Sequence, residues 1–241
     1  MSSAFFTKLL LTGRRGEGTI HYMKIRLVIV NIEDCAGLLS APERFCSGQR
    51  LARAEAIADA GKRMQSYAAE LALSFALSGD ALLPPVYSYD EKGRPVVEGG
   101  FVSLSHSGNY AVCAYSPAPV GVDIEERRPV ECGLARRILC PAERKEYERS
   151  GVGYLLGRFV MKEALFKLTG EGISGGFRDV FESEGRLFRR GVLAGFPVFF
   201  GTPGYACCVV SSVFPEEIEL ISDPHLRIEK QLTPDDPRRS I

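Results

Sequence analysis

The stretch YSPAPVGVDIEERRP, residues 115–129, decides how the chain divides. Its first half is turn chemistry, with Pro117 and Pro119 flanking a single alanine. Its second half, VGVDIE, reads as a strand, because apolar and other residues alternate along it. That alternation puts Val122 and Ile124 on one face and Asp123 with Glu125 on the other. Two carboxylates side by side on one face repel unless water, a base or a cation lies between them. The pair therefore has two readings. It is the solvated face of an edge strand continued by EERR, or it is a pair of oxygen ligands for a hard cation such as Mg²⁺. A third acid nearby would favour the second.

Working outward, the same order of elements occurs on both sides of this stretch. Upstream, KIRLVIVN (residues 24–31) is a β-rich strand, and residues 47–78 turn helical with a break at Gly61. Met64, Tyr67, Ala68, Leu71 and Phe75 recur at steps of three and four and make one apolar face. LPPV ends that region, DEKGRP (90–95) is a turn, and FVSLS and YAVCAYS are short strands around HSGN. Downstream, VGVDIE is followed by a helical region over residues 141–169 and then by β-rich FRDVFES, RLFRR, FPVFF and YACCVVSSV. The economical description is an α+β fold of two similar α/β subdomains in pseudo-twofold arrangement, 23–117 and 118–223. Residues 1–22 contain only a short apolar patch and read as a disordered N-terminal extension. The polar, proline-containing tail 224–241 is expected to fray.

Composition bounds the function classes. Across 241 residues, 30 Lys and Arg balance 30 Asp and Glu, which argues against a general nucleic-acid binder. No run approaches the roughly 20 apolar residues of a membrane helix. The seven cysteines form no C-x-x-C pair, and Cys113, Cys207 and Cys208 lie in apolar runs, so a reducing cytoplasm is expected.

Two further segments carry chemistry. Around GRFVMKEALFKLTGEG, residues 157–172, the preceding Leu155 and Leu156 with Phe159, Val160 and Phe166 supply a helical stripe, and Gly170 with Gly172 stops it. Glu163 and Lys167 are four apart and share a face, which taken alone is a common surface ion pair. In FVSLSHSGNY, residues 101–110, SHSG offers hydroxyls, an imidazole and backbone N–H groups to a phosphate oxygen. The same four residues are equally a polar hairpin with a self-satisfied histidine.

Together, in this order and spacing, SLSHSG, GVDIE and FVMKEALFKLTGEG resemble the 4′-phosphopantetheinyl transferase superfamily. Its marks are an F-N-[IL]-S-H-S segment, a G-[IV]-D-[IVL]-E strand and a [WF]-x-x-K-E-[AS]-x-x-K helix. Chain length and the two-half layout look like the larger, monomeric Sfp type. Ser103 stands where the family has Asn, and Phe159 where Trp is common, so altered packing is expected there.

The resemblance implies that the phosphopantetheine arm of coenzyme A moves to a serine of an apo acyl or peptidyl carrier protein, releasing 3′,5′-ADP. Asp123, Glu125 and Glu163 match the Mg²⁺-binding acids. Glu163 is the candidate base and Lys167 the contact to the leaving phosphate. Ser105 and His106 match coenzyme A phosphate contacts, Arg94 a basic residue near the nucleotide, and Lys162 a further phosphate contact. Arg50, Arg53, Lys62 and Arg63 resemble a basic patch on the nucleotide side, and read from the residues alone are equally a solvated helix face. EERRP (125–129) and residues 131–151, with Arg136 and Arg137, are candidate carrier-contact surface. A metal-dependent hydrolase of a diphosphate and a coenzyme A or carrier-binding module without turnover stay open beside this reading. No nucleic acid or membrane partner is implied.

Overall fold

The computed structural model of the chain describes residues 7–10, 23–79, 83–129, 133–172 and 176–222. In chain order the first half contains β1 (Thr7–Leu10), β2 (Lys24–Asn31), α1 (Ala36–Leu39), α2 (Gly48–Glu55), α3 (Ala60–Ser78), β3 (Ser88–Tyr89), β4 (Pro95–Val96), β5 (Phe101–Ser107) and β6 (Tyr110–Ser116). The second half contains β7 (Val120–Glu126), α4 (Leu134–Ile138), α5 (Pro141–Ser150), α6 (Val152–Thr169), β8 (Val180–Ser183), β9 (Arg186–Arg189), β10 (Val192–Gly201), β11 (Tyr205–Ser211) and β12 (Glu217–Ile221). The helical break falls at residues 56–59, before the expected Gly61, because Asp59 caps α3 by accepting the Lys62 N–H at 2.8 Å.

The expected repeat is visible in the strand orders. One sheet runs β1-β12-β2-β6-β5 and the other β7-β11-β10-β9-β8. In each half an opening strand (β2 or β7) is followed by a long helix (α3 or α6). A hairpin (β5–β6 or β10–β11) then pairs its second strand antiparallel with the opening one. Burial follows the pleat. Ile25, Leu27 and Ile29 of β2 join Val122 and Ile124 of β7 and Cys207 and Val209 of β11 in a core between the sheets. The opposite faces pack on helices. Val28 and Val30 meet Leu71 and Phe75 of α3, while Cys208 and Val210 meet Val160, Ala164 and Leu165 of α6. Cys46, Cys113, Cys140, Cys207 and Cys208 are free thiols, and burial raises the thiol pKa of Cys46 to about 12. No helix among the described residues is long and apolar enough to cross a membrane.

Two boundaries drawn from the sequence need correction. Thr7–Leu10 of the segment read as an extension forms a strand, antiparallel to β12. In turn β12 leaves the second half and pairs parallel with β2, so residues 217–221 belong to the first sheet. The reason is an open edge: β2 has one flank on β6, and β12 covers the other while burying Ile218 and Ile221. The tail 224–241 lies outside the described residues.

α6 meets β7 closely at a position that lacks a side chain. A Cβ at Gly121, in β7, would overlap the Ala164 carbonyl oxygen and crowd the Leu168 N–H of α6. Gly121→Ala therefore has to push α6 off the strand that carries Asp123. A loss of about 1–3 kcal/mol in urea unfolding is expected, and an unchanged midpoint would contradict this packing.

Candidate active site

β5 and β7 are edge strands of different sheets that lie side by side. No backbone ladder joins them; side chains do. On β5 the serines at 103, 105 and 107 alternate, are buried, and turn toward β7. Ser103 Oγ accepts the Val122 N–H at 3.0 Å. Ser105 Oγ donates to Asp123 Oδ1 at 2.7 Å, and Ser107 Oγ donates to Glu125 Oε2 at 2.5 Å. The partners advance together, so the seam runs parallel.

From the other side α6 contributes Glu163 and Lys167. The Lys167 ammonium does not pair with Glu163 as on a free helix surface. It donates to Asp123 Oδ1 at 2.7 Å. Asp123 Oδ2 is buried without a hydrogen-bond partner. Burial, then Asp123 and then Glu125, raise the Glu163 carboxyl to about 7, with Lys167 pulling the other way. Burial raises Glu125 as well, against the Ser107 hydrogen bond. Among the described residues no group of three or more His, Cys, Asp or Glu closes into a ready metal cluster. The donors nonetheless suit a hard cation. All are carboxylate oxygens, one is a buried orphan, and their mutual repulsion is what a divalent ion relieves.

Beside the acids opens a cleft of ≈990 Å³ whose walls are strongly cationic. Arg50, Arg53, Lys62, Lys92, Arg94 and Lys167 all line it, and Glu163 is at its acid end. Such a field concentrates a polyanion such as a nucleotide phosphate. Arg50 is anchored from behind. Its Nε donates to the fully buried Glu70 at 3.0 Å, and Glu70 also accepts the Ser47 hydroxyl and the Tyr87 O–H. Arg53 stacks over the Tyr89 ring at 3.9 Å. Arg94 and Asp90 form an exposed pair, and Lys92 Nζ donates to the Gly170 carbonyl, tying the turn to the end of α6. His106 points into the cleft. Desolvation, then the Lys167 and Arg50 charges, lower its pKa and so favour the neutral imidazole.

The sequence expectations divide accordingly. Asp123, Glu125, Glu163 and Lys167 come together, and His106, Arg94, Arg50, Arg53 and Lys62 line one cleft. Ser105 lines it too, but its hydroxyl is spent on Asp123 rather than on a phosphate. Lys162 is a correction. It is fully buried, and its Nζ donates to Glu143 Oε2 at 2.6 Å and to the Ile138 carbonyl at 2.9 Å, away from the cleft. Burial lowers its pKa against the Glu143 charge. Arg63 is a second correction, because its guanidinium donates back to the Ile57 carbonyl and does not line the cleft.

Residues that the sequence reading passed over also matter. Gln65 donates to the Gly108 carbonyl at 2.8 Å, and Glu126 Oε1 accepts the Asn109 N–H, so both hold the loop after His106. Gly108 has φ +53, and a Cβ there would overlap the Glu126 carboxylate. Glu126 is thus more than the solvated charge that EERR suggests. One available signal was the period-two run of serines in SLSHS, which is anomalous for a buried strand face.

Known proteins resemble this chain over part of its length. The model of the 4′-phosphopantetheinyl transferase superfamily matches residues 119–210. The 4′-phosphopantetheinyl transferase psf-1 of Bacillus pumilus is 38% identical over 104 residues, 38% of this chain and 42% of that one. The 4′-phosphopantetheinyl transferases ffp of Bacillus subtilis and Sfp of Bacillus subtilis (strain 168) are 30% and 27% identical. Each is matched over 152 residues, 56% of this chain and 68% of theirs.

Proposed function

Because this chain belongs to the 4′-phosphopantetheinyl transferase superfamily, we propose that it moves the phosphopantetheine arm of coenzyme A onto a serine of an apo acyl or peptidyl carrier protein, releasing 3′,5′-ADP. The observation that carries this reading is the junction of a cationic cleft with a cluster of carboxylates in which Asp123 holds Lys167. A hydrolase would need no second protein substrate, whereas here one of the acids, Glu125, also faces a second opening. A depression of ≈410 Å³ lined by Glu125, Arg128, Leu134, Arg137 and Phe159 lies on that side. We assign it to the approach of the carrier.

In this reading the cleft cations hold the phosphates of coenzyme A, with neutral His106 donating one N–H. Asp123, Glu125 and Glu163 would hold Mg²⁺, which would supply Lewis-acid stabilisation of the charge on the leaving phosphate. Glu163 accepts the proton of the carrier serine as the general base. The serine oxygen bonds to the phosphorus that bears the pantetheine arm. The bond from that phosphorus to the bridging oxygen breaks, and its electron pair leaves with 3′,5′-ADP. The Lys167 ammonium, already at the acid end of the cleft, meets the charge on the departing group. Monomeric action in a reducing cytoplasm is part of the same proposal.

One experiment separates the alternatives. Apo carrier, coenzyme A and Mg²⁺ are incubated with the protein, and the intact carrier is weighed by mass spectrometry. The expected result is a phosphopantetheine adduct on the carrier serine. Nucleotide release without any carrier would indicate a hydrolase. Ligand-induced stabilisation with no change in carrier mass would indicate a binding module. No adduct on several unrelated carriers overturns the transferase reading.

A further inference from the structure

The serine seam does something the proposed reaction does not require of it. β5 and β7 close two different sheets, so backbone pairing does not set their relative height. The height is set by three hydroxyls at a two-residue period, which reach in turn Val122, Asp123 and Glu125 along β7. Ser103 takes a backbone N–H of β7. Ser105 and Ser107 instead take carboxylate oxygens, and each takes only one: Oδ1 of Asp123 and Oε2 of Glu125. A carboxylate tethered by one oxygen loses its rotation about the terminal torsion and presents its other oxygen in a fixed direction. For Asp123 that other oxygen is the buried orphan Oδ2. A desolvated acceptor left unpaired is costly unless a ligand completes it.

We propose that Ser105 and Ser107 are the positioning residues of the divalent-cation site, orienting Asp123 and Glu125 so that one free oxygen of each faces the cation. The inference rests on the metal part of the proposed function. Hydrogen-bond partners behind metal-binding carboxylates typically tune affinity about 10–100-fold. Ser103, in the same seam but bonded to the backbone, supplies the internal control. It has the same structural role and no carboxylate to orient.

The test is Mg²⁺ affinity by isothermal titration calorimetry on the full chain without coenzyme A or carrier. Wild type, Ser105→Ala, Ser107→Ala, Ser107→Thr and Ser103→Ala are compared, with thermal unfolding of each in EDTA. Ser105→Ala and Ser107→Ala are expected to weaken Mg²⁺ binding about tenfold or more. Ser107→Thr, which keeps the hydroxyl, should restore it. Ser103→Ala should lower the unfolding temperature yet leave Mg²⁺ affinity within about twofold of wild type, well below the effect expected behind a ligand. Unchanged affinity in both Ser105→Ala and Ser107→Ala overturns the inference. So does an equal loss in Ser103→Ala, which would mean that seam stability alone is read. Wild type that binds no Mg²⁺ overturns it together with the metal site. The transfer assay reports separately: a phosphopantetheine adduct with unmoved serine variants leaves the proposed function standing and removes only this inference.

Discussion

Replacing Glu163 by glutamine is expected to cost the protein its transfer activity and, in metal-free buffer above neutrality, to make it harder to unfold. The two effects share one cause. Glu163 is buried on α6 with Asp123 and Glu125 as neighbours, and its carboxyl is raised from an ordinary value to about 7. A raised folded-state pKa means the folded protein binds more protons than the unfolded chain between about pH 4.5 and 7. Stability from this group is then fully present below the unfolded value and is lost as pH rises through the folded one. Above pH 7 the charged carboxylate opposes folding. A shift of that size corresponds to at most about 3 kcal/mol, and about 1–2 kcal/mol after allowance for water at the cleft. Glutamine keeps the shape and never ionises. Glu163→Gln should therefore match wild type at pH 4 in urea unfolding and exceed it by about 1–2 kcal/mol at pH 8. Removal of the base should lower carrier modification by about 10²–10⁴-fold at saturating Mg²⁺. A variant that transfers at the wild-type rate removes Glu163 from the chemistry. One with no stability gain at pH 8 removes the repulsion argument.

Lys162→Met should behave in the opposite way. The lysine is fully buried, and its ammonium is held by Glu143 at 2.6 Å and by the Ile138 carbonyl at 2.9 Å. Glu143 also caps α5, accepting the Cys140 N–H at 2.9 Å, and its Oε1 already lacks a partner. Taking the lysine away leaves a buried carboxylate without its counter-ion. The expected cost is about 3–5 kcal/mol, or a melting temperature lower by roughly 6–20 °C for a chain of this size. Adding Glu143→Leu should recover much of that loss, because the pair is removed together with its desolvation. Below the transition the surviving folded protein should bind coenzyme A as wild type does. A Lys162→Met protein of undiminished stability but weakened coenzyme A binding would return the residue to the phosphate site.

These two adjacent residues mark how far reading from the chain goes. Both belong to the same KE pair, and spacing on a helix places them about 100° apart. Period 3.6 separates their faces; it does not say which face meets the cleft. That depends on α6 lying against β7 at Gly121, a contact between residues about forty apart in sequence. The same limit explains Arg63. Its charge looked equivalent to those of Arg50 and Arg53, but the start of α3 turns it back on the Ile57 carbonyl. Ser105, read as a phosphate contact, is committed to Asp123 because β5 and β7 meet edge to edge.

By itself the sequence determined what local periodicity and composition can carry. It assigned two halves of strand, helices and strands, the sharing of a face by Asp123 and Glu125, and the helix that brings Glu163 and Lys167. These follow from side-chain periods of 2 and 3.6, which need no partner in space. Only the tertiary structure decided that β12 crosses into the first sheet, that Lys167 pairs with Asp123, and that three serines hold the acids in register. Each of those is a contact between segments far apart in the chain, set by which edges and buried polar groups were left to be satisfied.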